Sequence, residues 1–126
     1  MSTRIATFSL FAIDCPDPVA LAGFYSAITG WPVAADSHQG WAELESGGAG
    51  ATLAFQVVEE GDFRAPQWPG QEHPQQAHPD FDVPDLDEGE RAVLAVGARK
   101  HDVQPSPDRF RVYLDPVGHP FCLVKA

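Results

Sequence analysis

Leu10-Phe-Ala-Ile-Asp-Cys-Pro-Asp17 and His78-Pro-Asp-Phe-Asp-Val-Pro-Asp85 are two versions of one phrase, 68 residues apart. Each is an apolar-alternating run that reaches an Asp seven residues after its start. Each then leads into a segment of helical periodicity that stops at glycine: Pro18 to Gly30 after the first, Leu86 to Gly97 after the second. Repetition of a strand, a capping Asp and a helix predicts two copies of one supersecondary module. Neither copy buries its apolar face alone.

Working outward from the first copy, residues 5–13 alternate as a strand, with Phe11 and Ile13 on one face and Leu10 and Ala12 on the other. Asp17-Pro18 supplies an N-cap followed by proline at the first helical position. Leu21, Phe24, Tyr25 and Ile28 recur at helical spacing, and Gly30 ends the helix. Three more strands are predicted at Trp31–Ala34, Gly40–Leu44 and Ala51–Val58. The second copy repeats the order with a strand at 77–83, a helix at 86–96, and strands at 98–102, 110–115 and 121–125. The predicted order is therefore βαβββ, twice, with module one at 5–58 and module two at 77–125. Residues 59–76, polar and proline-rich around Trp68, form the linker.

Composition excludes several classes of function. With 126 residues and 44% hydrophobic content, the chain is expected to form one folded domain. A formal net charge of −10 argues against nucleic acid and against an anionic membrane surface. No apolar run reaches membrane-spanning length, and no secretory signal pattern is visible. Cys15 and Cys122 are far apart and lack metal-finger spacing, so a reducing, cytoplasmic location is the expectation.

Three pieces together carry a family resemblance: Asp14-Cys-Pro-Asp-Pro with Phe24-Tyr-Ser-Ala-Ile-Thr-Gly-Trp31, then His78 to Asp85, then Asp115-Pro-Val-Gly-His-Pro-Phe-Cys-Leu-Val124. In this order they resemble the vicinal-oxygen-chelate superfamily, and within it the glyoxalase-like domain subgroup. That superfamily includes glyoxalase I, bleomycin-resistance proteins and extradiol dioxygenases. The resemblance implies an α+β fold in which two tandem βαβββ modules, with curved mixed sheets, enclose a cleft. It also implies a homodimer. One fold hosts many chemistries, so the activity has to be argued from the site.

In metal-dependent relatives, the resemblance implies a divalent ion held by one residue early in each module and one on each module's last strand. The early positions here are Leu10 and His78. The late ones, taken one residue after the aromatic of each final strand, are Gln56 and Cys122. None of the four is a carboxylate, and Leu10 has no donor, so no native catalytic metal is expected. If an ion is held, Gln56, His78 and Cys122 are its ligands.

Alternation groups His78 with Asp80 and Asp82, opposite Phe81 and Val83; in module one the same face carries Leu10, Ala12 and Asp14. The cleft is expected to be apolar where module one lines it and ionisable where module two does. His78 and Asp80 are the candidate acid–base pair for catalysis. The plainer reading makes His78 a polar cleft residue oriented by Asp80, and Cys122 a small buried hydrophobe. Trp68 covers the cleft, packs at a dimer contact or pins the linker, and His119 shapes the turn before the last strand. The ligand-lining set is thus Leu10, Ala12, Gln56, Trp68, His78 and Cys122. The expected function is binding of a small organic molecule without a cofactor. The alternative is a lyase, isomerase or dioxygenase that uses His78, either with Asp80 or with Gln56 and Cys122 on a metal.

Overall fold

A computed structural model describes Arg4 and residues 7–126. Residues 5 and 6 of the first predicted strand lie outside the described residues. The chain divides into two compact units, residues 1–63 and 64–126, and the division falls inside the predicted linker.

The first unit is a three-stranded mixed sheet in the order β1-β3-β2, with one α-helix and a short 3-10 turn at Gly47–Ala49. Strand β1 (Leu10–Cys15) runs parallel to β3 (Thr52–Val57), and β2 (Trp41–Glu43) pairs antiparallel with β3. Helix α1 (Pro18–Thr29) begins where the Asp17 side chain accepts the Ala20 N–H at 3.2 Å. It ends at Gly30, whose φ of 75° is left-handed and costs glycine nothing. Leu21, Ala22, Phe24 and Tyr25 form its buried stripe, and the Tyr25 ring stacks on Phe55 with centroids 5.6 Å apart. Such a pair adds about 0.5–1.5 kcal/mol beyond the area it buries. The predicted strand at Trp31–Ala34 is a correction: only an isolated bridge, Val33 to Leu44, forms there. Pro32 has no N–H to give to a ladder, and a turn follows at Ala35 and Asp36.

The second unit is a four-stranded mixed sheet in the order β4-β7-β6-β5, again with one helix. Strand β4 (Asp80–Val83) runs parallel to β7 (Pro120–Lys125); β6 (Phe110–Leu114) lies antiparallel to β7, and β5 (Arg99–Lys100) to β6. Helix α2 (Leu86–Ala95) is capped by Asp85, which accepts the Glu88 N–H at 2.9 Å. Gly89 lets the helix approach the sheet: a Cβ there would stand 3.1 Å from Leu123 Cδ1 and 3.2 Å from Val83 Cγ1.

A charged network ties the same helix to β6. The Tyr113 hydroxyl donates to Glu90 at 2.8 Å, Lys100 Nζ lies 3.1 Å from Glu90, and Arg111 reaches Asp87 at 2.9 Å. Burial first, and the Glu90 carboxylate second, raise the Tyr113 hydroxyl pKa above the ordinary tyrosine value.

The turn before β7 is built on the fully buried Asp115. Its Oδ1 accepts the N–H groups of Val117 and His119, each at 3.0 Å. His119 therefore has its backbone in this turn, as expected. Gly118 takes φ 100° there, and a Cβ added to it would meet Ala65 Cβ at 2.8 Å. Among the described residues, no helix is long and apolar enough to cross a membrane.

Candidate functional site

Strand alternation gives the second sheet two faces with different contents. Phe81, Leu123, Arg111 and Tyr113 share the face that packs on α2. Asp80, Cys122 and Val112 are directly paired neighbours on the other face, followed by Asp82, Val124 and Phe110. That helix-free face is the floor of a pocket of about 380 Å³. Phe110, Val112, Cys122 and Val124 line it from the strands, with Pro105 and Pro120 beside them. Trp68, Gln75, His78 and Asp80 line it from the segment that leads into β4.

Asp80 is the hub of the polar corner. His78 Nε2 lies 3.2 Å from Asp80 Oδ1, and the Cys122 thiol stands beside the same carboxylate. The ligand-type atoms of these three residues all lie within 4.8 Å of one another. Burial, and then the negative charge of Asp80, push the Cys122 thiol up to about 12. The thiol is a proton donor in this corner, and at ordinary pH it is not a thiolate nucleophile.

Two details correct the expectation from sequence. His78 lies ahead of β4, because the strand starts at Asp80 and not at residue 77. Pro79 brings no N–H, although its carbonyl accepts the Cys122 N–H at 3.0 Å. Immediately upstream, the Ala77 N–H closes back on the Gln75 carbonyl at 2.6 Å around Gln76, whose φ is 63°. This is the strained form of the three-residue γ-turn, a conformation that costs a non-glycine residue on the order of 1–3 kcal/mol.

The Trp68 wall is braced from the loop after β5. His101 Nδ1 accepts the Val103 N–H at 2.9 Å, so Nε2 carries the ring proton and donates it to the Trp68 carbonyl at 2.9 Å. The two rings meet edge to face at 5.0 Å. The Gln104 carboxamide clamps the same loop to the pocket floor. Its Nε2 donates to the carbonyls of His101 and Val112, each at 2.8 Å, and its Oε1 accepts the Val112 N–H at 2.9 Å.

The structure thus brings His78, Asp80, Cys122 and Trp68 to one pocket within the second unit. Leu10, Ala12 and Gln56 belong to the first unit, on the face of its sheet away from α1. Ala12 and Gln56 are exposed there, and Leu10 is half-buried. Internal register also corrects the assumed equivalence of Gln56 and Cys122. Cys122 pairs with Asp80, which stands five residues before its capping Asp; the residue five before Asp17 is Ala12, and it pairs with Ala54. Gln56 pairs with Asp14 and corresponds to Val124.

With Cys122 as the anchor, the four positions implied by the resemblance hold Leu10, Ala54, His78 and Cys122. Two are hydrocarbon, one is an imidazole, and the last is a thiol. That donor set does not fit the four-ligand ion. Gln75, Phe110 and Val112 were missed by sequence reasoning. The alternation of Phe110 and Val112 with Arg111 and Tyr113 was a usable signal; nothing in the sequence marked Gln75.

A sequence model described as the glyoxalase-like domain matches residues 10–124. Among solved structures, a glyoxalase/bleomycin resistance protein/dioxygenase family enzyme from Burkholderia phytofirmans PsJN is similar, with a TM-score of 0.70 and 18% identity, covering 95% of this chain and 98% of that one. A glyoxalase/bleomycin resistance protein from Albidiferax ferrireducens T118 gives a TM-score of 0.64 at 17% identity, covering 94% and 98%. A lactoylglutathione lyase from Agrobacterium tumefaciens gives 0.63 at 17% identity, covering 98% and 96%. At such identities the likeness concerns the fold. No curated protein matches the chain.

Proposed function

The chain belongs to the glyoxalase-like domain family, and from that premise we propose that its second unit binds a small organic molecule without a catalytic metal. One observation carries the reading. The pocket is largely apolar, and among the described residues Asp80 is the one acidic residue in its lining, which contains no Lys or Arg. An apolar cavity with a few convergent polar groups is the usual form of a small-molecule site. A lone carboxylate at its edge suits a ligand with an aromatic or aliphatic body and a basic nitrogen. The net charge of −10 draws such a ligand toward the protein. The missing donors at Leu10 and Ala54 argue against the four-ligand Lewis-acid chemistry of glyoxalase I, since two of the four positions have nothing to bind an ion with.

A second reading rests on the 3.2 Å contact between His78 and Asp80. With Nε2 engaged by the carboxylate, Nδ1 is the basic nitrogen, and a bound carbon or oxygen acid is within the reach of general-base chemistry. The two readings separate on whether the bound compound is chemically altered.

The test is fluorescence titration with acridine orange, a cationic aromatic dye, against anilinonaphthalene sulfonate, an anionic one. The cation is expected to bind, and Asp80→Asn to weaken it by about tenfold or more. Asp82→Asn removes the same charge two positions along the strand and is expected to leave binding within about twofold. Equal losses in the two variants reduce the effect to bulk electrostatics and sink the proposal.

A further inference from the structure

We propose that Gln75 selects among ligands of this pocket, and that the preferred ligand is a flat heteroaromatic molecule carrying an amide-type edge, as in a lactam, pyridone or pyrimidinone. The inference rests on the reading of the pocket as a ligand site and names the ligand class.

Four residues supply the polar side chains of the lining that matter here: Gln75, His78, Asp80 and Cys122. Three of them are already engaged with each other, the imidazole and the thiol both on the Asp80 carboxylate. The half-buried Gln75 carboxamide makes no side-chain hydrogen bond among the described residues. A primary carboxamide holds a donor and an acceptor side by side in one plane. Its natural complement is a planar edge with an acceptor beside an N–H. Leaving either half unmatched on ligand binding lowers affinity, which makes such a residue a discriminator more than an anchor.

Backbone geometry at the same place is an independent observation. Gln76 is the non-glycine residue given a positive φ, 63°, among the described residues, and the strained turn it forms immediately precedes His78. Strained backbone persists where the surroundings demand it, and it gathers at ligand-contacting segments. Here the turn holds Gln75 at the pocket edge within three residues of His78. Trp68 and Phe110, also in the lining, supply aromatic surface against which a flat ligand can pack. The ligand's basic nitrogen goes to Asp80, and its amide edge to Gln75.

Two matched probes test this: a quinolinone bearing an aminomethyl arm, and the aminomethylquinoline that lacks the amide edge. Both are titrated by calorimetry and by NMR shifts of the Trp68 indole. The wild-type protein is expected to prefer the quinolinone by about tenfold. Gln75→Leu should collapse that ratio to about one while the quinoline affinity holds, and Gln75→Met should repeat the result, with unchanged melting temperature as the control for folding. Asp80→Asn should weaken both probes alike. Equal wild-type affinities, or a preference that survives Gln75→Leu, overturn the assignment of Gln75 and leave the pocket reading standing. If neither probe binds, both readings are overturned.

Discussion

Asp80 and Cys122 stand directly opposite each other in the parallel pairing of β4 with β7, and the register turns the thiol toward the carboxylate. A second negative charge there meets both a buried setting and a like charge. The thiol is accordingly expected to resist alkylation. At about pH 8, iodoacetamide should modify Cys122 roughly a thousandfold more slowly than a free cysteine, and Asp80→Asn should speed the reaction. Site-resolved mass spectrometry checks both. The same shift has a consequence for stability. The folded-state pKa lies above the unfolded one, so its contribution is complete below the unfolded value and is lost as pH rises toward 12. Unfolding free energy should fall above about pH 9, approaching a slope of 1.4 kcal/mol per pH unit, and Cys122→Ser should flatten that slope.

The donor set predicts a metal experiment. Protein purified without chelator and offered zinc, nickel, manganese or iron should retain less than one equivalent after dialysis, because Leu10 and Ala54 supply no ligand. Elemental analysis reads the content. A stoichiometric ion lost in both His78→Ala and Cys122→Ser would instead show that His78, Asp80 and Cys122 suffice, and would bring metal-dependent chemistry to the front.

Gly118 and Ala65 offer a paired test of the turn before β7. Gly118→Ala adds a methyl group 2.8 Å from Ala65 Cβ at a φ of 100°, and should cost about 2 kcal/mol or more in chemical denaturation. Ala65→Gly on that background should restore the part due to the clash. The part due to the dihedral angle should remain, and a full restoration would mean that strain at Gly118 contributes little.

His101 is predicted to set the position of Trp68. His101→Ala removes the donor to the Trp68 carbonyl and the edge-to-face contact, at a cost of about 1 kcal/mol. In a background where Trp31 and Trp41 are Phe, Trp68 emission should shift to the red and dye affinity in the pocket should fall. Emission unchanged from the parent would show that the indole is held by other contacts.

Much of this arrangement is legible in the sequence. Asp17 and Asp85 cap their helices, and Gly30 stops the first, because these features depend on local backbone chemistry alone. The Trp31–Ala34 strand failed for an equally local reason, the missing donor of Pro32. The Gln56 equivalence failed differently. Phe55 and Phe121 both face their helices, but Phe55 corresponds to Leu123 and Phe121 to Leu53. A slip of two residues preserves every face, so alternation cannot detect it, and pairing partners are needed to see it. Gln75 was invisible for a third reason: its place depends on a tight turn whose φ no residue type at Gln76 announces.

Strand β6 carries the pocket and the helix anchor on alternate residues. Phe110 and Val112 face the cavity, while Arg111 and Tyr113 face Glu90 and the neighbouring charges on α2. Divergence at the first pair can therefore reshape what the cavity accepts without loosening the helix, and divergence at the second pair can loosen the helix without altering the cavity walls. A strand arranged in this way lets descendants of one sequence change their chemistry while inheriting their architecture intact. The cavity positions are accordingly where related chains should differ most, and Arg111, Tyr113 and Glu90 where they should change together or not at all.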